Sequence, residues 1–170
     1  MNKHAKRLSL SGVLLALTVL CLFIESIAPT NRLAFYALSS FFVSVVIMEF
    51  GLTAGWTFYI ASCLLSLIIV QDKMNLIPYV LFFGNYGIIK FYIEKRNKLW
   101  LEYILKFVYF NIVLFFLYIS VKTFILPEVS VKFPWWILIV FAEAAFLIYD
   151  YVYSLVIQYY CSKIKNVLKI

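Results

Sequence analysis

Charged residues are scarce in this 170-residue chain. Asp, Glu, Lys and Arg make up 14% of it, whereas 65% is hydrophobic and 20% is aromatic. A water-soluble domain of ordinary composition has about a quarter of its residues charged. Because so little polar surface could not cover a water-soluble globule, lipid is the expected solvent. The composition therefore predicts an all-α integral membrane protein.

Histidine, cysteine and catalytic motifs are equally scarce. The one histidine, His4, lies in the N-terminal tail, which argues against catalytic triads, HExxH metal sites and His/Asp proton relays inside a bundle. Cys21, Cys63 and Cys161 are far apart and form no CxxC or Cys/His cluster, so we expect neither a disulfide framework nor a zinc site. The sequence also lacks GxSxG, P-loop and paired-aspartate motifs. We expect no enzymatic activity, no metal and no cofactor.

Long apolar runs, separated by short polar breaks, indicate six transmembrane helices in one compact bundle that occupies residues 1–170. A span needs about 20 residues, so six spans leave room only for short turns and tails. Gly51 and Gly55 are predicted to bracket a tight turn between the second and third helices. The expected helices are 8–28, 33–50, 54–70, 76–93, 99–126 and 135–160.

Positive charge is distributed unevenly between the two sides of this topology. The net charge of +7 comes from Lys and Arg mostly at segment ends, without a basic groove, so we expect no nucleic-acid partner. One side would hold nine basic residues and the other three, namely Arg32, Lys73 and Lys132. The positive-inside rule then places both termini in the cytoplasm.

Several polar residues are predicted to lie inside the bilayer. Counting 1.5 Å per residue along each helix puts Asn85, Asn111 and Glu143 at similar depth, in the middle to outer half. Because a carboxylate at that depth is costly, Glu143 is either a functional group or the acceptor of a structural hydrogen bond from a neighbouring helix.

A second set of polar residues is predicted deeper toward the cytoplasm. There Asp150 is expected to form a structural ion pair with Lys106 or Lys90, although either lysine could instead reach the headgroups.

Small residues recur in the first helix. Gly12 and Ala16 form a small-xxx-small pair, and Ala5 and Ser9 extend it toward the N-terminus. Such a strip allows close approach of another helix, which could belong either to a partner protein or to the same bundle.

The whole architecture, together with the segment KRLSLSGVLLAL at residues 6–17, resembles the substrate-binding S components of energy-coupling factor (ECF) vitamin transporters. The usual AxxxA motif of that family is GxxxA here, at Gly12 and Ala16. The resemblance implies a multi-pass protein of a bacterial cell membrane that binds a vitamin or related micronutrient. It also implies docking through the first helix on a membrane coupling subunit that is driven by two cytosolic ATPases.

A mostly apolar substrate pocket with a few orienting polar groups is compatible with this resemblance. Some of these polar groups could instead simply occupy the headgroup region. A different class also remains open, a non-transport scaffold such as an MreD-like cell-shape protein, which would act through helix-to-helix contacts. The candidate substrate-binding residues are Glu25, Arg32, Tyr36, Asn85, Asn111, Trp135 and Glu143.

Overall fold

The computed structural model describes residues 3–28, 30–96, 98–124 and 135–164. Within these residues the chain is helical without β-strands, and six helices are long and apolar enough to cross a membrane. The predicted connection at 127–134 and the predicted end of the fifth helix at 126 lie outside the described residues. Contacts divide the chain into two compact units, unit 1 (Met1–Tyr92) and unit 2 (Ile93–Lys169).

Unit 1 begins with three helices that pack against one another: α1 (Lys3–Ile27), α2 (Arg32–Phe50) and α3 (Leu52–Ile69). A less regular span follows, made of a 3₁₀ turn (Lys73–Leu76), a π-helical stretch (Tyr79–Phe83) and α4 (Gly84–Glu94), whose last two residues belong to unit 2.

The junction between α2 and α3 is shorter than predicted. Only Gly51 separates the two helices, and its φ of 88° lies in the region that favours glycine. Gly55 does not bracket a turn but lies inside α3, where it allows close contact with α2. A Cβ added at Gly55 would lie 2.3 Å from Ile47 Cγ1.

Buried serines form much of the contact surface inside unit 1. Ser39 and Ser40 on α2 and Ser62 and Ser66 on α3 are fully buried. The Ser39 hydroxyl donates to the Tyr36 carbonyl at 2.7 Å, and the Ser62 hydroxyl lies 2.7 Å from the Tyr79 hydroxyl. Small side chains whose hydroxyls bond locally let apolar helices approach closely.

Unit 2 contains two long helices, α5 (Leu99–Phe124) and α6 (Trp135–Tyr159), and α6 continues into a π-helical turn (Tyr160–Ile164). Stacked rings of Phe110 and Phe146, with centroids 4.4 Å apart, join the two helices.

An ion pair joins α5 to α6 at one end of this contact. The ammonium of Lys106 lies 2.9 Å from a carboxylate oxygen of Asp150 and 2.9 Å from one of Glu94. The expected pairing of Asp150 with Lys106 is therefore present in the structure. Lys90 belongs to unit 1, where it is buried with its ammonium 6.0 Å from the ring centroid of Tyr86.

Large apolar side chains are exposed on the described helices. Examples on four different helices are Leu20, Ile68, Trp100 and Phe141. Soluble monomers rarely expose so much contiguous apolar surface, and a lipid environment would accommodate it.

Candidate functional site

A polar cluster lies where α1 ends and α2 begins. It contains three of the predicted binding residues, Glu25, Arg32 and Tyr36, together with Asn75 from the 3₁₀ turn. Arg32 Nη1 donates to Asn75 Oδ1 at 3.3 Å, and the Tyr36 hydroxyl donates to the Asn75 backbone carbonyl. We call these four residues the Glu25 cluster.

Local structure explains why these residues meet. Asn31 adopts the left-handed conformation (φ 65°), which asparagine tolerates, and turns the chain from α1 into α2. The carboxylate of Asp72 accepts a hydrogen bond from the Met74 backbone N–H at 3.1 Å and so caps the 3₁₀ turn that carries Asn75. The Tyr36 ring stacks on Phe83, with centroids 5.2 Å apart, which fixes the direction of its hydroxyl.

The Glu25 carboxylate is the least satisfied group of the cluster. It is fully buried and lies close to the Tyr36 hydroxyl, but neither of its oxygens accepts a hydrogen bond of standard geometry from the described residues. Its nearest cation is Arg32, whose Nε lies 3.9 Å away, and Arg32 is itself about half exposed. A buried carboxylate normally accepts several hydrogen bonds, so Glu25 retains unused acceptor capacity.

A cleft between α5 and α6 is lined by one further predicted residue, Asn111, and a second, Glu143, lies beside it. Asn111 Nδ2 donates to Glu143 Oε1 at 3.2 Å and to the Phe107 carbonyl at 2.9 Å. This contact is the structural hydrogen bond that was one of the two readings of Glu143. This cleft is an open groove of about 660 Å³, lined by Asn111, Leu114, Phe115 and Tyr118 on α5 and by Leu138, Ile139 and Ala142 on α6.

The remaining predicted residues are not part of either group. Asn85 lies on α4, and its side-chain oxygen is buried without a hydrogen-bond partner among the described residues. Trp135 is the first residue of α6, but its side chain lies outside the described part of the chain.

The small-residue strip of α1 is exposed and is not tightly packed inside its own unit. Gly12 and Ala16 are exposed, and a Cβ added at Gly12 would meet nothing within 4 Å. The opposite face of α1 is buried, with Thr18 and Leu22 completely covered. Gly12 itself lines an open groove of about 480 Å³ between α1 and α3, together with Leu15, Ala54 and Ala61.

Sequence reasoning missed Glu94 as a second partner of Lys106 and missed Phe83 as the ring that orients Tyr36. The connection between α4 and α5 is short, so it could have indicated that Glu94 lies near the first turns of α5. No comparable signal pointed to Phe83. No protein-family model, curated protein or solved structure matches this chain, so the assignment of a function depends on the residues themselves.

Proposed function

We propose that this chain is a multi-pass membrane protein that acts as the substrate-binding subunit of a transporter for a vitamin or related micronutrient. It docks through α1 on a membrane coupling subunit, and two cytosolic ATPases drive the complex. Both termini lie in the cytoplasm, as the basic residues indicate. The six long apolar helices among the described residues are compatible with this location.

The observation that carries the proposal is the contrast between the two faces of α1. Gly12 and Ala16 are exposed, and a Cβ added at Gly12 would meet nothing within 4 Å, while Leu22 and Glu25 are fully buried in their own unit. A strip of small residues that is not used internally is available to a helix of another subunit. The groove beside it, lined by Ala54 and Ala61 of α3, extends the small-residue surface.

Two polar groups support a role in solute binding. The Glu25 cluster has a buried carboxylate with unused acceptor capacity, and the cleft of unit 2 has an apolar lining that includes Asn111, with Glu143 hydrogen-bonded to Asn111 beside it. Small-molecule sites generally have this composition, with apolar walls and a few polar groups that fix orientation.

The scaffold alternative shares part of this support. An exposed strip at Gly12 and Ala16 would serve any protein that works through helix-to-helix contacts, including an MreD-like cell-shape protein. A scaffold does not need the cleft of unit 2 or the buried Glu25 carboxylate. These polar features favour the transporter subunit.

The proposal is tested with Gly12→Leu and Ala16→Leu, expressed in the native host with an affinity tag. The matched control is Val13→Leu, because Val13 is an exposed apolar residue of the same helix outside the strip. Wild type and control should co-purify with a membrane subunit and two proteins that carry nucleotide-binding motifs. The strip variants should lose these partners yet unfold at the wild-type temperature, since both positions are exposed and a Cβ at Gly12 would meet nothing within 4 Å.

Two results would contradict the proposal. One is unfolding of the isolated protein by the strip substitutions, because the strip would then be an internal packing surface. The other is recovery of the wild-type protein with membrane partners that lack any ATPase, which would favour the scaffold.

A further inference from the structure

We infer that the cleft between α5 and α6 binds the apolar body of a small organic cation, whose positive group is held by the Glu143 carboxylate. This inference rests on the proposed function and deepens it, because it names the chemical class of the substrate. Neither the fold nor the docking surface on α1 requires the substrate to be an organic cation.

The first argument is the shape of unit 2. Lys106–Asp150 and the stacked rings of Phe110 and Phe146 hold α5 and α6 together along one part of their length. Beyond the hydrogen bond from Asn111 to Glu143, the helices leave a cavity of about 660 Å³ between them. Sites for small organic molecules typically have volumes of about 300–1,000 Å³.

The second argument is the charge of Glu143. Its described partner is the neutral amide of Asn111, at 3.2 Å, and no Lys or Arg nitrogen of the described residues pairs with it. Asp150, two turns along the same helix, is matched by Lys106. A carboxylate beside an apolar cleft, with no cation paired to it among the described residues, is complementary to a ligand that brings the positive charge.

The third argument is the lining of the cleft. Phe115 and Tyr118 present aromatic rings, and Leu114 and Leu138 complete an apolar wall. Aromatic faces attract cations, and apolar walls favour the uncharged part of the molecule. An anionic ligand would be repelled by Glu143, and a neutral one would leave that carboxylate without a counter-charge.

The test uses the purified full chain in nanodiscs of phosphatidylcholine and two matched probe pairs at pH 8. The cations are N-benzylpyridinium and N-hexylpyridinium, and their neutral counterparts are 4-benzylpyridine and 4-hexylpyridine. Equilibrium dialysis, corrected with empty nanodiscs, gives the dissociation constants. We expect the wild type to bind at least one cation about tenfold or more tightly than its neutral counterpart, the size of effect expected of a charge-assisted contact.

Glu143→Gln should abolish the preference for the cation. Glutamine keeps an oxygen that accepts the hydrogen bond from Asn111 and has nearly the same shape, so the fold should be retained. Glu102→Gln, which removes a carboxylate from the first turn of α5, should leave the preference unchanged. Ala142→Phe should weaken binding of every probe, because the larger side chain fills the cleft.

Three results would overturn the inference: no binding of any probe, equal affinity within both pairs, or a preference that survives Glu143→Gln. The docking experiment on α1 is independent of these measurements. If docking depends on Gly12 and Ala16 but the chain shows no preference for cations, the inference is wrong and the proposed function stands. Cation binding by a chain that never associates with ATPases would contradict the proposed function instead.

Discussion

The ammonium of Lys106 donates a hydrogen bond to Asp150 across the interface between α5 and α6, at 2.9 Å. Both side chains are nearly buried, with 7% and 12% of their surface exposed. Glu94 is a second acceptor for the same ammonium at 2.9 Å, but it is 41% exposed. Since the two carboxylates differ in burial, they should differ in their contribution to stability.

We expect Asp150→Asn to lower the free energy of unfolding by an amount on the order of a few kcal/mol, because it leaves a buried ammonium with one exposed partner. Glu94→Gln should lower it by no more than about 1 kcal/mol, because exposed ion pairs contribute little. Thermal and denaturant unfolding in detergent would measure both. Equal losses from the two substitutions would show that burial does not set the strength of this network.

A companion measurement uses the double variant Lys106→Leu, Asp150→Leu. Replacing both charges with apolar groups avoids an unpaired buried charge, so the double variant should be more stable than Asp150→Asn. If the double variant is the less stable of the two, the pair contributes net stability of its own.

The pairing of Lys106 with Asp150 could be predicted because charges in apolar surroundings must find partners, and counting along the helices put the two at the same depth. Glu25, Arg32 and Tyr36 were predicted only as members of a larger set of binding residues, and the sequence did not single them out as one cluster. The sequence did not reveal that Ser62 and Tyr79 would meet. Helices that are apolar on every side give little indication of which face turns toward the interior of the protein. The rotation of each helix about its own axis decides which side chains of neighbouring helices meet.

The position of Gly55 inside α3 was missed for a related reason. Glycine punctuates turns in most sequences, so Gly51 and Gly55 together predicted a turn. In the structure Gly51 alone supplies the turn, through its positive φ, and Gly55 supplies close packing. The sequence alone does not distinguish a glycine that forms a turn from one that allows close packing, because the difference depends on which residue of the neighbouring helix lies against it.

Gly55 and Gly12 form a matched pair for mutation. Gly55→Ala should destabilise unit 1 by about 1–3 kcal/mol, because the new Cβ would lie 2.3 Å from Ile47 Cγ1 in a packed interface. Gly12→Ala should leave stability unchanged or raise it by less than about 1 kcal/mol, since its Cβ meets open space. Thermal unfolding of the two purified variants measures the difference.

A double-mutant cycle identifies the contact responsible. If Ile47 causes the loss, Gly55→Ala should be less destabilising in an Ile47→Ala background than in the wild type. An unchanged effect of Gly55→Ala in that background would mean that another neighbour, or the backbone itself, is responsible.

Tyr36→Phe should loosen the turn that carries Asn75. The substitution keeps the ring that stacks on Phe83 but removes the hydroxyl that donates to the Asn75 carbonyl. The expected loss is about 1 kcal/mol, typical of a single hydrogen bond. Amide hydrogen exchange should become faster at residues 73–76, and the control Tyr103→Phe, at an exposed tyrosine of α5, should leave it unchanged. Equal exchange in wild type and Tyr36→Phe would show that other contacts hold the turn.

Orientation in the membrane is tested by labelling single cysteines in intact cells. The native Cys21, Cys63 and Cys161 are first replaced by serine or alanine, and function or unfolding temperature is checked against the wild type. A cysteine at Thr30 lies between α1 and α2, and one at Lys95 follows α4, so an odd number of spans separates them.

With both termini in the cytoplasm, an impermeant maleimide should label the cysteine at position 30 and not the one at position 95. Permeabilised cells should show labelling at both positions, which establishes that each thiol is reactive. The reverse pattern would place both termini outside the cell. The side that carries most of the basic residues would then face away from the cytosolic ATPases, which would contradict the proposed docking.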